Sequence, residues 1–494
     1  MLARVEKMLK YREHSDQQHS RQRQNALVLR VAFNNGRELL MSLQDNVEFK
    51  DQWTKISQKE LDEILASHEK FASGMQGGER AKLGMFDLSY LDLAERNLSR
   101  ADFTGALLCH CALAGADLQD AILFAADLRY ADMRGANFDR ADVRGACMSG
   151  ADLSDASMID TDMRDGVLLK PTAEGGDLVA VVHDEATGGL ERAVARGANM
   201  TGAKVSDSMI VQTDLTDCNL QNAKFIRANL SLTNLTGCNL QGADFTEAVL
   251  SGAIFRGAVF SNTVLDNADL SGANLIGAIF DNVDFSQVDL SEAMLPKGVD
   301  NMDQSFRDVL VAHDRWVKSN GKDGARAELS EMDLSGQDLE KVNLSAADLS
   351  YAVLRDTRCS KADMLMADLS YADLRGVVMD RADLRGAKLT RANLVDANLV
   401  GAVMSEVNVS TRAGGGEWRC SLENARMHRA LLAGAIIRNA DLEGADLRDA
   451  DLRDADLSGS LLIDVDFRGA DLRGANLNNT DKRGAKGLPK EDYK

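Results

Sequence analysis

Reading forward from Leu83, every fifth residue is apolar: Leu88, Leu93, Leu98, Phe103 and onward to Met163, a run of 17 positions in one register. The register lapses and returns three times, with 20 positions from Met200 to Leu295, 17 from Leu329 to Val409 and 12 from Leu422 to Leu477, giving 66 centres among which only Cys359 stands out. Chance does not produce this in a chain that is 45% hydrophobic. Two residues before most centres stands a small residue, usually Ala as at Ala116, Ala126, Ala131 and Ala136, and Asp or Asn fills the position between. A period of five suits neither the roughly 3.6-residue turn of a helix nor the alternation of a strand. Each unit must therefore turn a corner to bring its large residue back inside. The pattern predicts an all-β solenoid of short flat sides, with the large and small residues inward, the other three positions in water, and backbone polar groups satisfied by the coils above and below.

The repeated Ala-Asp/Asn-Leu-x-x unit resembles the pentapeptide-repeat family and accounts for 330 of the 494 residues. The resemblance implies a right-handed quadrilateral β-helix with four units per coil. On that geometry the chain holds about 16 coils, which at a strand spacing of about 4.8 Å total roughly 80 Å of β-helix.

The repeats fall into two duplicated modules. Leu61, Ile64, Leu65, His68 and Phe71 have counterparts in Phe306, Val309, Leu310, His313 and Trp316, a helical spacing in both places. Gly78, Arg80, Ala81, Leu83, Asp87 and Leu88 then match Gly324, Arg326, Ala327, Leu329, Asp333 and Leu334. Each module is thus a short α-helix feeding a β-helix. In the first coil of each, Phe86, Leu91 and Arg96 or Met332, Gln337 and Val342 replace the small column, as expected of a coil that meets a cap. The divisions expected are 1–58, 59–297 with an insertion at 169–198, a helical linker and cap at 298–326, 327–482 with a glycine-rich loop at 410–421, and a tail at 483–494. The first insertion predicts a hairpin, Val167 to Lys170 and Leu178 to His183 around Glu174-Gly175-Gly176.

Residues 1–58 form a small α+β region: a Leu2, Val5, Leu9 helical stripe, then Ala26 to Phe33 and Leu39 to Leu43 flanking an Asn34-Asn35-Gly36 turn. This region faintly resembles the start of a PilZ domain without its cyclic-dinucleotide signature. Arg21 and Arg23 lack the RxxxR spacing, and Asp45 is not followed by xSxxG, so no nucleotide binding is expected.

Charge changes the picture of the surface. The chain carries 57 Lys and Arg against 77 Asp and Glu, net −20, but residues 1–58 are +3, so the solenoid carries −23. That is about one net charge per 3.5 Å, against one per ~1.7 Å of duplex DNA. No apolar run approaches a membrane span of about 20 residues, and Met1 to Lys10 has no signal core, so a cytoplasmic protein without a membrane span is expected. Seven cysteines fit a reducing compartment.

No catalytic constellation emerges, and neither a cofactor nor a metal site is expected. Cys109-His110-Cys111 should point to different sides of a coil. Cys218 and Cys238 should be inward thiols standing in for Ala, and His68 and His313 capping residues. Function then falls to the surface. The first expectation is a non-enzymatic scaffold that binds partner proteins, with self-association open and no direct nucleic-acid binding. The alternative, implied by the resemblance, is a DNA mimic that binds a topoisomerase such as DNA gyrase. The candidate contact residues are Val249, Ile254, Val259 and Val264, which replace Asp or Asn around one coil, with Ile279 one coil above Val259 and Trp418 in the second loop.

Overall fold

The computed structural model describes residues 53–171, 178–181, 189–299, 302, 305–411 and 414–488, and the backbone of residues 28–32 and 38–42. The chain divides into two compact units, Met1–Thr54 and Lys55–Lys494. In the first, strands β1 (Val28–Ala32) and β2 (Glu38–Ser42) pair antiparallel, Val28 opposite Ser42 and Ala32 opposite Glu38. The expected Leu2 to Leu9 helix lies outside the described residues, as do Arg21, Arg23 and Asp45.

The second unit is a solenoid whose parallel bridges recur every 20 residues, as in Lys82 to Asp102 to Ile122 to Asp142. Four five-residue units therefore make one coil. The hydrogen bonding explains why each unit has its composition. The centre donates upward, Leu83 N–H to the Asp102 carbonyl at 2.7 Å, and Asp102 N–H returns to Ala81 at 3.0 Å. The corner closes with Phe86 N–H on the Leu83 carbonyl at 3.2 Å. The residue two after the centre adopts the left-handed region, φ 60° at Met85 and 67° at Tyr90, which suits a type II turn. One amide per unit, just after the centre, has no place in this ladder. The Asp or Asn before the centre accepts it, as Asp87 does from Ser89 N–H at 3.1 Å, so this column completes the backbone accounting. Where Asp precedes the centre and Arg follows it, the Arg forks onto the same carboxylate: Arg134 reaches Asp132 at 2.8 and 2.7 Å.

Inside, the Leu, Phe and Met centres and the Ala column are almost fully buried in each module. Identical residues stack between coils, as Phe225 and Phe245 do with ring centroids 4.9 Å apart. A hydroxyl or thiol in the small column donates to the centre's carbonyl 23 residues earlier. Thr161 does so to Phe138 at 2.8 Å, and Cys218 to Ala195 at 2.8 Å.

Each β-helix opens under a helix. Helix α1 (Gln58–Ala72) starts at a capping box between Ser57 and Glu60, and buries Leu61, Leu65 and His68. Helix α2 (Phe306–Lys318) starts at Ser305 and buries His313. Strand Lys297–Gly298 pairs parallel with Met332–Asp333 in the opening coil of the second module.

Both interruptions are hairpins. In the first, Leu169–Pro171 pairs with Leu178–Ala180; its tip lies outside the described residues. The coil resumes earlier than the expected Met200, because Gly189 already bridges Cys147 and Leu190 and Ala195 are buried centres. In the second, Val407–Thr411 pairs with Gly414–Trp418, a hairpin in place of the expected glycine-rich loop. Val409, expected as a centre, belongs to that hairpin opposite Gly416, so the last centre before the break is Met404.

The two β-helices lie side by side and run antiparallel. A Cβ on Gly277 would stand 3.0 Å from the Cβ of Tyr351, a Cβ on Gly257 would stand 2.7 Å from the Tyr371 ring, and Arg391 meets Asp217 at 3.0 Å. Numbers rise along one module as they fall along the other.

Candidate functional site

Successive units go to successive sides of a four-sided coil, and this scatters the expected contact patch. Val249 stands in the column of Asn229 and Asp269, Ile254 in that of Asn234 and Asn274, and Val264 beside Asp244. They are 36%, 37% and 39% exposed on three different sides. Val259 and Ile279 share the fourth side as paired strands, and are only 7% and 3% exposed. Trp418 is exposed at the end of the second hairpin. The structure therefore brings together only Val259 and Ile279, and it places them in the groove between the modules. Residues five apart are neighbours in sequence but not on the surface.

The seam beside that groove is built from residues that the repeat leaves unconstrained. Tyr351 and Tyr371 stack with centroids 4.9 Å apart at one corner of the second module. Arg256 of the first module lies over the Tyr351 ring at 4.1 Å and pairs with Glu331. Burial pushes the Tyr371 phenol up to about 12 and the Asp217 carboxyl above its usual range, with Arg391 opposing the shift at Asp217. Sequence reasoning missed these residues. The available signal was a 20-residue spacing on both sides, Tyr351 and Tyr371 against Gly237, Gly257 and Gly277.

Beyond the seam the modules enclose a groove of about 330 Å³. Its first-module wall includes Gln241, Val259, Asn262 and Ile279. Its second-module wall includes Arg375, Asn393, Val395, Arg426, Arg429 and Arg448. Asp281, His428 and Asp446 line it as well, so carboxylates offset most of the positive charge of its four arginines. Three of the four arginines are held by carboxylates: Arg375 by Asp373, Arg429 by Asp396 and Arg448 by Asp446, each through two hydrogen bonds of 2.6 to 2.8 Å.

The remaining candidates are structural. His68 and His313 accept the Ala81 and Ala327 N–H groups through Nδ1 at 3.1 and 3.0 Å, joining each helix to its first coil. Burial, foremost, holds both imidazoles below their usual range. Cys111 is buried with its thiol on the Leu88 carbonyl, while His110 stacks between Tyr90 and Tyr130 at 4.9 and 5.1 Å. Adjacent residues here do diverge. Burial pushes the Cys111 thiol up to about 12 and that of Cys238 well above its ordinary value. Among the described residues no cluster of three His, Cys, Asp or Glu side chains could hold a metal, and no helix is long and apolar enough to cross a membrane.

The outer surface is unevenly charged. Residues 59–326 carry 24 Lys and Arg against 41 Asp and Glu, net −17, whereas residues 327–494 carry 23 against 29, net −6. The arginine ladders consist mainly of forks onto the same unit's Asp, as at Arg453 and Asp451 (2.7 and 2.6 Å), with the next coil's Asp471 farther off at 3.9 Å.

The family model described as pentapeptide repeats matches eight times, at residues 87–123, 123–155, 213–252, 253–292, 327–364, 367–406, 418–449 and 450–485, more than half of the chain. The chain belongs to the pentapeptide-repeat family. Its relatives are right-handed β-helical solenoids, and this chain shares that fold. No curated protein matches the chain. Among solved structures, HetL, a pentapeptide-repeat protein involved in heterocyst differentiation regulation in the cyanobacterium Nostoc, is 25% identical; the match covers 60% of this chain and 89% of HetL, with a TM-score of 0.18. QnrB1, a plasmid-mediated fluoroquinolone resistance protein, is 19% identical over 43% of this chain and 82% of its own, with a TM-score of 0.26. A pentapeptide-repeat protein of the Arabidopsis thaliana thylakoid lumen is 26% identical over 26% of this chain and 66% of its own, with a TM-score of 0.14.

Proposed function

We propose that this pentapeptide-repeat protein is a non-enzymatic, rigid scaffold that binds partner proteins through its solenoid faces and hairpins, in the cytoplasm and without a cofactor. The observation that carries this reading is the concentration of acid on the first module, net −17, on a framework in which every coil is hydrogen-bonded to the next. A preorganised, strongly acidic face costs little ordering entropy on binding and steers a basic protein surface toward itself. The alternative is a DNA mimic that occupies a topoisomerase such as DNA gyrase. Acidity favours it, but a seam that sets two β-helices side by side gives a broader body than one duplex. The test is crosslinking with mass spectrometry in native cytosol at low and high salt. The scaffold reading expects salt-sensitive crosslinks from the carboxylates of residues 59–326 to basic surfaces, and unchanged gyrase supercoiling at micromolar protein. Absence of any specific crosslink at low salt sinks the scaffold reading, and inhibition of gyrase transfers support to the mimic.

A further inference from the structure

Among the described residues, one cation lining the groove between the modules, Arg426, is held by no carboxylate through a hydrogen bond or ion pair, whereas its neighbours Arg375, Arg429 and Arg448 are each forked onto one. Arg426 stands one before the centre Met427, the position that Asp or Asn most often fills. It therefore replaces a local acceptor with a side chain that needs one. The setting resists that charge. Burial, foremost, holds the guanidinium below its ordinary range, Asp446 pulls it back up, and Arg448 and Arg375 add to the lowering.

The rest of the groove has a second character. Val259 and Ile279 from one module and Val395 from the other give it an apolar side. Asn393, 3% exposed, spends its amide oxygen on the Val395 N–H at 3.3 Å, which leaves its NH2 end as a donor. The volume of about 330 Å³ lies at the small end of the range for ligand sites, about 300 to 1,000 Å³.

We propose that this inter-module groove binds a small amphipathic anion, a single carboxylate or phosphate group on an apolar body, with Arg426 taking the anionic group and Val259, Ile279 and Val395 the body. Both planar carboxylates and phosphates match the guanidinium fork. Because the two walls come from different modules, the ligand also ties the antiparallel β-helices together along their open side. This site is separate from the acidic face and does not depend on any protein partner.

The experiment is thermal unfolding and calorimetric titration of the full chain with phenyl phosphate and benzoate at constant ionic strength. Phenol serves as the control that lacks the charge, inorganic phosphate as the one that lacks the apolar body, and potassium chloride as the one that lacks both the apolar body and the oxyanion. At least one of the two aromatic anions should raise the melting temperature in proportion to the logarithm of its concentration above Kd. Which one does so distinguishes phosphate from carboxylate. Arg426→Met should keep a wild-type melt without ligand and weaken binding at least about tenfold, as expected for loss of a charge-assisted contact. Val395→Gln, an outward substitution, should weaken the aromatic anions toward the affinity of inorganic phosphate and supplies the answer if the first variant does not fold. No shift with either anion, a shift equalled by potassium chloride, or full binding retained in both variants overturns the proposal.

Discussion

One corner of the coil carries Gly105, Ala125 and Gly145 in the first module and Tyr351, Tyr371 and Arg391 at the matching positions of the second, 246 residues on. In the first module the small residues let the module's own chain return over them. Leu168 lies against Gly105, the Gly166 carbonyl against Gly145, and Arg144 over the Phe124 ring at 5.4 Å. In the second module the hairpin departs one unit sooner, after Met404, and Val407 packs beside Gly386 on the neighbouring corner. The large residues are thereby left open, and a different corner of the first module, Gly237, Gly257 and Gly277, takes the tyrosines. The inward columns specify the same fold twice. The corner residues, which the core does not constrain, decide what lies alongside it.

The sharpest way to break this comparison is to remove the second module's corner. Tyr351→Ala with Tyr371→Ala should cost about 2–4 kcal/mol, somewhat less than truncation of fully buried aromatics, and leave each β-helix intact. Small-angle scattering should show the modules parting while the circular dichroism spectrum of the coils is retained; an unchanged scattering envelope would refute the seam. A smaller effect is expected from filling the first module's corner. Gly145→Leu places a side chain on a backbone with φ 66° and against Gly166, at a cost of about 1–3 kcal/mol. The result should be faster proteolysis between Gly166 and Gly189 and an untouched seam, and protection equal to wild type would show that the hairpin does not rest there.

The smallest expected effect tests what the modules share. His68 and His313 are both held below the usual value of 6.5, so the neutral ring is the one that fits. Their contribution is therefore complete above about pH 6.5 and is lost as pH falls through the lower, folded-state pKa values. Melting temperature should decline modestly over that acidic window. His68→Gln should remove part of the decline and the double variant with His313→Gln should remove the histidine component, so an unaltered pH profile in the double variant would exclude the caps as its source.

The fold was legible because its core obeys one rule at nearly every unit. The exceptions have physical causes. Leu190 and Ala195 are centres that were assigned to the insertion, since Gly189 stands where Asp or Asn marks a unit and Ala195 is small for a centre. Val409 keeps the spacing of a centre, and only its pairing with Gly416 removes it from the coil. The candidate surface was less legible. A one-dimensional period groups Val249, Ile254, Val259 and Val264, whereas the coil turns each to a different side. The burial of Val259 and Ile279 depends on a second module about a hundred residues downstream, which no local pattern encodes. Tyr351 and Tyr371 look like ordinary exposed corner residues until Gly257 and Gly277 are set against them.

The fixed reach of the ladder also sets an order of assembly. Almost every bridge joins residues 20 apart, so each new coil finds its template in chain that has only just preceded it. A β-helix built this way grows by accretion, with little loop entropy to overcome at each step. The seam is different: Tyr351 meets Gly277 across 74 residues, and Arg391 meets Asp217 across 174. During synthesis, which delivers the N-terminal module first, the glycine corner is complete before its tyrosines exist. The groove that Arg426 lines is consequently among the last features of the molecule to form, and a ligand that fits it would be recognising a finished chain.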